Sequence, residues 1–162
     1  MSGLRERSKS CSSPEGVKAA AVLDVTPQEL DARTREFARI VVLFCTPLLD
    51  DHKNWELIRQ LLKSGTAVNA NYGSAREARS RDEFVAKLGQ VVDDASESWR
   101  WLRLFRDSRR FIEKEHFPWL LQEAEELTKI FAKSHRTARL NNEKRKADEK
   151  ASRQDKRRRP HK

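Results

Sequence analysis

The chain has 162 residues, of which 37% are hydrophobic and 36% charged, with only five Gly and five Pro. This composition is typical of long helices with solvated faces, and it leaves little material for the turns of an all-β fold. No apolar run approaches the length of a membrane span, so the sequence predicts a soluble, cytoplasmic protein without membrane contact. Cys11 and Cys45 form no CxxC pair, which disfavours a zinc site or a disulfide framework.

The net charge of +9 is concentrated in one part of the sequence. Residues 133–162 hold 13 Lys or Arg and 4 Asp or Glu, a net charge of +9, whereas residues 1–132 hold 21 of each sign, a net charge of zero. The high isoelectric point is therefore a property of the C-terminal segment, and an anionic partner is expected to contact that segment.

Structure is predicted to begin after an N-terminal arm. Residues 1–25 are rich in Ser and charge without a sustained hydrophobic period, which predicts disorder. Thr26 and Glu29 then have the spacing of a capping box, with Pro27 at the first helical position. Pro47 is expected to end or bend this helix. Its predicted buried stripe, at alternating spacings of four and three, is Leu30, Thr34, Phe37, Val41, Phe44 and Leu48.

Three further helices are predicted from the same alternation of spacings. The second begins near residues 52–54, the third is capped by Ser80 with Glu83 three residues on, and the fourth begins at about His116. Their stripes are Trp55, Ile58, Leu62, Gly65, Val68 and Tyr72; Phe84, Leu88, Val91, Ala95, Ser98, Leu102 and Phe105; and Phe117, Leu120, Ala124, Leu127, Phe131 and Ser134. Together they predict an all-α fold, an antiparallel up-and-down four-helix bundle over residues 26–138.

Residues 63–78 have few large side chains and include two glycines. They form either a helix–loop junction or a continuation of the second helix, because Gly costs about 1 kcal/mol in a helix interior relative to Ala. The helix interpretation requires another helix to pack closely on this surface, with Asn69 and Asn71 hydrogen-bonded across the contact. The helix-packing or oligomer-interface candidates are Ser64, Gly65, Ala67, Asn71, Trp99 and Trp101.

The two tryptophans enter that set because Trp99 and Trp101 point in different directions on one helix. Both cannot face the core. One of them is either an amphipathic surface residue or part of a subunit contact.

Residues 139–162 form a basic tail that is predicted to be disordered or a frayed extension of the fourth helix. Clustered cations can neutralise phosphates without a fold, which gives salt-sensitive binding without sequence preference; the alternative is a tail that only aids solubility. The candidate nucleic-acid-binding residues are Lys144, Arg145, Lys146, Lys150, Arg153, Lys156, Arg157, Arg158 and Arg159.

Catalytic chemistry has little support in the sequence. A di-iron bundle needs two Glu-x-x-His pairs, and only Glu113 and His116 have that spacing. Lys-Ser-Gly-Thr at residues 63–66 lacks the flanking glycines of a phosphate-binding loop. Cys45 is interpreted as an inert small hydrophobe. The sequence therefore predicts no catalytic residue, no metal site and no cofactor.

The run from Arg59 to Phe105 resembles a family of four-helix-bundle proteins first described from intervening sequences of 23S ribosomal RNA genes, which also includes accessory proteins of diversity-generating retroelements. Ala67 and Asn69 depart from the family pattern, which has Ser and Gly there, and Ser74 stands where the family usually has Glu. The matching positions are Leu61, Leu62, Ser64, Gly65, Thr66, Val68, Ala70, Asn71, Ala75, Ser80, Phe84, Leu88, Glu97, Trp101 and Leu102.

The resemblance implies a bundle that assembles into a homo-oligomer, a pentamer in the better-understood members, with nucleic-acid binding as the leading idea of function. We therefore expect a non-enzymatic oligomer whose clustered basic tails bind RNA or DNA non-specifically. The alternative is an interaction scaffold or accessory subunit for a reverse transcriptase or a ribosome-associated partner.

Overall fold

The computed structural model describes residues 25–158, with side chains for residues 25–155. The helices are α1 Pro27–Cys45, α2 Trp55–Arg76, α3 Arg81–Asp107 and α4 Phe117–Arg158, with a 3-10 turn at Thr46–Leu48. Each helix packs against the next in the chain and α1 also packs against α4, with no strand in the described part. The predicted all-α, antiparallel four-helix bundle is confirmed. The arm predicted to be disordered lies outside the described residues, except for Val25.

The starts of α1 and α3 follow from local capping. At α1 the Thr26 hydroxyl accepts from the Glu29 amide at 3.2 Å, while the Glu29 carboxylate accepts from the Thr26 amide at 2.8 Å, which completes the predicted capping box. At α3 the Ser80 hydroxyl accepts from the Glu83 amide at 3.1 Å. The Glu83 carboxylate, however, accepts from the amide of Arg79, one residue before the cap.

The four predicted stripes meet in one core. All six stripe residues of α1 are buried, as are five of the six stripe residues of α4 and six of the seven in α3. Two positions of α2 differ from the prediction. Trp55 is 40% exposed at the first turn, and Leu61 rather than Leu62 is fully buried. Leu61 is buried because α2 has neighbours on two sides, so its buried surface is wider than a single stripe, whereas Trp55 is the first residue of α2 and lies at the end of the bundle.

Residues 63–76 are continuous helix, which confirms the helix interpretation of the small-residue stretch up to Arg76. At Gly65 a Cβ atom would lie 2.8 Å from both methyl carbons of Val41, so α1 approaches the α2 backbone closely there. The packing explanation does not extend to Gly73. A Cβ added at Gly73 would meet no packing neighbour within 4 Å among the described residues.

Helix α4 is far longer than the bundle it closes. Its 42 residues extend about 63 Å, at about 1.5 Å per residue. A disordered tail from residue 139 is therefore wrong for residues 139–158, which continue the fourth helix as the alternative interpretation proposed. Up to residue 146 the physical reason lies in contacts with α3, because Asn142 is buried and Lys146 forms an ion pair with Asp82 at 2.6 Å. Hereafter residues 139–158 are called the α4 extension.

Candidate functional site

The α4 extension presents exposed cations. Lys144, Lys150 and Arg153 are exposed, and none of them forms an ion pair with another residue that the structure describes. These side chains can therefore contact an anionic partner without first breaking a salt bridge. The side chains of Lys156, Arg157 and Arg158, and the whole of Arg159, lie outside the described residues.

Two predicted nucleic-acid-binding residues have acidic partners within the protein. The Arg145 guanidinium binds Glu149 one turn along the helix at 2.6 Å and donates to the amide oxygen of Asn142 at 2.9 Å. Lys146 binds Asp82, the second residue of α3, at 2.6 Å. The nine predicted cations are thus not equivalent, since these two contribute to the fold as well as to the surface charge.

Asp82 is the anchor that holds the α4 extension to α3, and the sequence alone did not predict this role. Its carboxylate accepts from Asn142 at 2.5 Å as well as from Lys146, and these hydrogen bonds hold the pKa of Asp82 below its usual value. Ala138 and Asn142 continue the spacing of seven and four residues from the buried Phe131, and that register could have predicted that the extension still faces α3 at residue 142.

The small-residue surface of α2 is used between helices of one chain. Ser98 of α3 donates to the buried hydroxyl of Ser64 at 3.0 Å, and Ser64 donates to the carbonyl of Gln60 at 3.0 Å. Ala67 is half-buried. Together with the contact of Gly65 on Val41, these positions place α2 close to both α1 and α3.

The two asparagines of this surface bind opposite neighbours. The Asn69 amide oxygen accepts from Thr34 of α1 at 3.3 Å, and the Asn71 amide donates to Asp94 of α3 at 2.6 Å. Both predicted cross-helix hydrogen bonds are therefore present. Burial raises the pKa of the Asp94 carboxyl, and the hydrogen bond from Asn71 opposes that rise only in part.

Trp99 and Trp101 are both half-buried and both pack against the edge of the core. The Arg103 guanidinium lies 4.8 Å from the Trp99 ring, which is a cation–π geometry. The indole N–H of Trp101 donates to Glu97 at 3.2 Å. Both rings are partly exposed because Trp99 and Trp101 point in different directions on α3, so that neither ring faces fully inward.

Of the six exposed large apolar side chains in the described part of the chain, five lie near the end of the bundle opposite the α4 extension. Here α1 and α3 end while α2 and α4 begin, and the exposed fractions of these side chains range from 40% to 48%. This surface is called the apolar end and consists of Val42, Leu43, Trp55, Leu104 and Trp119. Leu140, at 50%, is the one large hydrophobic of comparable exposure at the other end of the described residues.

Reactive groups are few in the described part of the chain. Cys45 is fully buried, and burial raises its thiol pKa to about 12, so the thiol stays protonated. Within residues 25–155 no three His, Cys, Asp or Glu side chains are grouped closely enough to hold a metal ion. Of the helices described, none has the length and hydropathy needed to cross a bilayer.

Comparison with known families decides what kind of protein this is. The family model of the 23S rRNA-intervening sequence proteins matches residues 29–133, more than half of the chain. The chain belongs to this family. The match spans α1, α2, α3 and the first part of α4, and it stops before the α4 extension.

A solved structure supports the family assignment. It is a protein of unknown function from the S23 ribosomal protein family of Bacteroides thetaiotaomicron, with 26% sequence identity and a TM-score of 0.61. The similarity covers 97% of that chain and 68% of this one. A comparison with curated proteins gave no match. Neither description names an enzymatic activity, and the α4 extension lies outside the residues that the family model matches.

Proposed function

We propose that this member of the family is a non-enzymatic, homo-oligomeric protein that binds nucleic acid, RNA or DNA, through the α4 extension. The observation that carries the proposal is charge segregation. Residues 133–162 hold a net charge of +9 while the rest of the chain is neutral. Double-stranded nucleic acid has a regular array of phosphates, and cations that neutralise it release counterions, which favours binding.

The helical form of the extension supports this proposal. Its 20 residues extend about 30 Å beyond residue 138, a length over which a duplex presents many phosphates. A preformed helix loses less conformational entropy on binding than a disordered tail does. We assign the phosphate contacts first to Lys144, Lys150 and Arg153, because their charges are not shared with an acid among the described residues.

Charge neutralisation tests the assignment. The variant with Lys144→Gln, Lys150→Gln and Arg153→Gln should bind labelled duplex DNA and RNA more weakly, and the slope of log K against log salt should become shallower by up to about 0.9 for each lost DNA phosphate contact. Fluorescence anisotropy over a salt series measures both quantities.

The matched control neutralises three exposed cations of the bundle: Lys53→Gln, Arg100→Gln and Lys114→Gln. The total charge of the two variants is the same, so the control should keep both affinity and slope near those of the parent protein. Equal losses in the two variants would show that net charge acts, rather than the extension.

A second candidate function is an interaction scaffold or accessory subunit, and the apolar end favours it. Large exposed hydrophobic side chains at one end of a small bundle are typical of a protein–protein contact. In this function a defined partner, such as a reverse transcriptase or a ribosome-associated protein, should co-purify stoichiometrically after nuclease treatment. Leu104→Asp should abolish that co-purification, and Leu140→Asp should preserve it.

A further inference from the structure

A groove of about 540 Å³ lies at the end of the bundle from which the α4 extension emerges. It is bounded by the start of α1, the first turns of α3 and residues 130–142 of α4. Its volume lies within the range of about 300–1,000 Å³ that is usual for sites that bind drug-sized ligands. The apolar walls are Val25, Leu30, Phe84, Val85, Ile130 and Ala138.

The groove also has a polar, positively charged rim. Arg81 and Lys133 line it and are exposed, and Asn141 and Asn142, in the first turn of the extension, close one side. None of the groove-lining residues is acidic. An occupant should therefore offer small aliphatic side chains to the walls and a carboxylate to the rim.

The segment of this chain that directly precedes the groove has that composition. Residues 17–24 read Val-Lys-Ala-Ala-Ala-Val-Leu-Asp, the most apolar run of the N-terminal arm, and they end in Asp24. The next residue, Val25, is itself a wall of the groove. The chain thus enters the bundle at the groove, so that no linker separates the segment from it.

Reach and concentration favour this segment over an outside partner. Eight residues span at most about 26 Å when extended, and the α4 wall from residue 130 to 142 is about 18 Å long. A tethered segment has a millimolar effective concentration at such a site, well above that of a free partner of similar intrinsic affinity. We propose that the groove binds residues 17–24 of the same chain, with Val22 and Leu23 against the apolar walls and Asp24 at the cationic rim.

Hydrogen exchange of the full-length protein tests the proposal. In the parent protein, the amides of residues 19–24 should exchange at least about tenfold more slowly than an unstructured peptide does. Val85→Lys places a charge in the groove wall and should remove this protection. Ala86→Lys adds the same charge at the adjacent exposed position, outside the groove, and should leave protection intact.

A change in the arm keeps the test independent of folding of the bundle. Leu23→Asp alters no residue of the helices and should also remove the protection of residues 19–24, while amides of α2 exchange as in the parent protein. Exchange of residues 19–24 at the unstructured rate in the parent protein would overturn the proposal, as would protection that survives both Val85→Lys and Leu23→Asp.

Cross-linking separates this occupant from a second copy of the chain. With Cys11→Ser, and with Cys45 buried as a protonated thiol, cysteines introduced by Leu23→Cys and Val85→Cys should be joined by a short bismaleimide within one chain. The product should keep monomer mass on a denaturing gel, and the control with Ala86→Cys should react at least about tenfold more slowly, since proximity sets the rate. A product of twice the monomer mass would overturn the proposal in favour of exchange between copies.

Discussion

Gly65 and Gly73 lie eight residues apart on the same helix and face different surroundings. Gly65→Ala would bring a methyl group within 2.8 Å of both Val41 methyl carbons, and overpacking of this kind costs about 1–3 kcal/mol. The helix gains about 1 kcal/mol from Ala. We expect a net loss of about 1 kcal/mol in the free energy of unfolding, measured by urea denaturation.

Gly73→Ala is the matched control for that substitution. The added methyl meets no packing neighbour within 4 Å in the described part, so helix propensity alone acts, and the free energy of unfolding should rise by up to about 1 kcal/mol. Val41→Ala combined with Gly65→Ala should cost less than the sum of the single changes, because the clash is removed. Equal effects of Gly65→Ala and Gly73→Ala on the free energy of unfolding would contradict the close approach of α1 to α2.

Asp94 is a carboxylate whose burial works against its charge. Burial raises its pKa, so the folded protein binds a proton more tightly than the unfolded chain does, and this group's contribution to stability falls as pH rises from about 3.9 through the folded pKa. Asp94→Asn removes the charge and still offers an oxygen to Asn71. We expect it to be at least as stable as the parent protein at pH 7, with that advantage disappearing below the unfolded pKa.

Asp94→Ala separates the hydrogen bond from the charge. It leaves the half-buried Asn71 without its partner at 2.6 Å, which should lower the free energy of unfolding by about 1 kcal/mol. Urea denaturation over a pH series measures both variants. A pH profile of Asp94→Asn that matches the parent protein at every pH would show that Asp94 titrates normally.

At the scale of elements, α4 has two parts that are held in place by different kinds of contact. Up to Phe131 its buried side chains fill the core, whereas the α4 extension is held to α3 by the polar contacts of Asn142 and Lys146 with Asp82. A helix with few apolar contacts has low local stability even when its backbone hydrogen bonds are complete. The anchor at Asp82 should therefore control how much of the extension remains helical.

Asp82→Ala tests that anchor. It removes the acceptor of both Asn142 and Lys146, so hydrogen exchange of residues 139–150 should become faster by about tenfold while the core amides of α2 are unchanged. Asp93→Ala, an exposed carboxylate on the same helix, is the control and should leave the extension protected. Because the pKa of Asp82 is lowered in the folded protein, its contribution is present above the unfolded pKa and is lost as pH falls through the folded value.

At the scale of the whole molecule, charge and exposed apolar surface lie at opposite ends. Assembly through the apolar end would leave the α4 extensions free, and several extensions of one oligomer could then contact the same polyanion, which raises the effective affinity. To remove the outer part of the extension without disturbing the bundle, the chain should be truncated after Lys146, because Lys146 still contacts α3.

The apolar end should carry self-association. Leu104→Asp together with Trp119→Asp adds two charges to it and should lower the mass measured by light scattering, whereas Leu140→Asp and truncation after Lys146 should not change it. An unchanged mass in the double variant, combined with loss of a co-purifying protein, would assign the apolar end to a partner instead.

Local patterns explain which parts of this fold could be predicted. Thr26 and Glu29 are three residues apart, and the stripes of α1, α3 and α4 repeat every three or four residues, so both signals are set within single helices. The prediction that Trp55 is buried is wrong, because a stripe gives the direction in which a side chain points but not how far the neighbouring helix extends to cover it at a helix end. Asp82 and Asn142 are 60 residues apart, and their hydrogen bond depends on how α3 and α4 align.

The sequence by itself determined the number of helices, the capped starts of α1 and α3, the buried faces of α1, α3 and α4, and the placement of positive charge after residue 132, since these depend on spacing and composition along the chain. Only the tertiary structure decided that residues 139–158 stay helical, that Asn69 and Asn71 bind different helices, and that a groove opens beside Val25. Each of those outcomes depends on the distance and rotation between helices. These are set by the fit of side chains from all four helices, which no single segment contains.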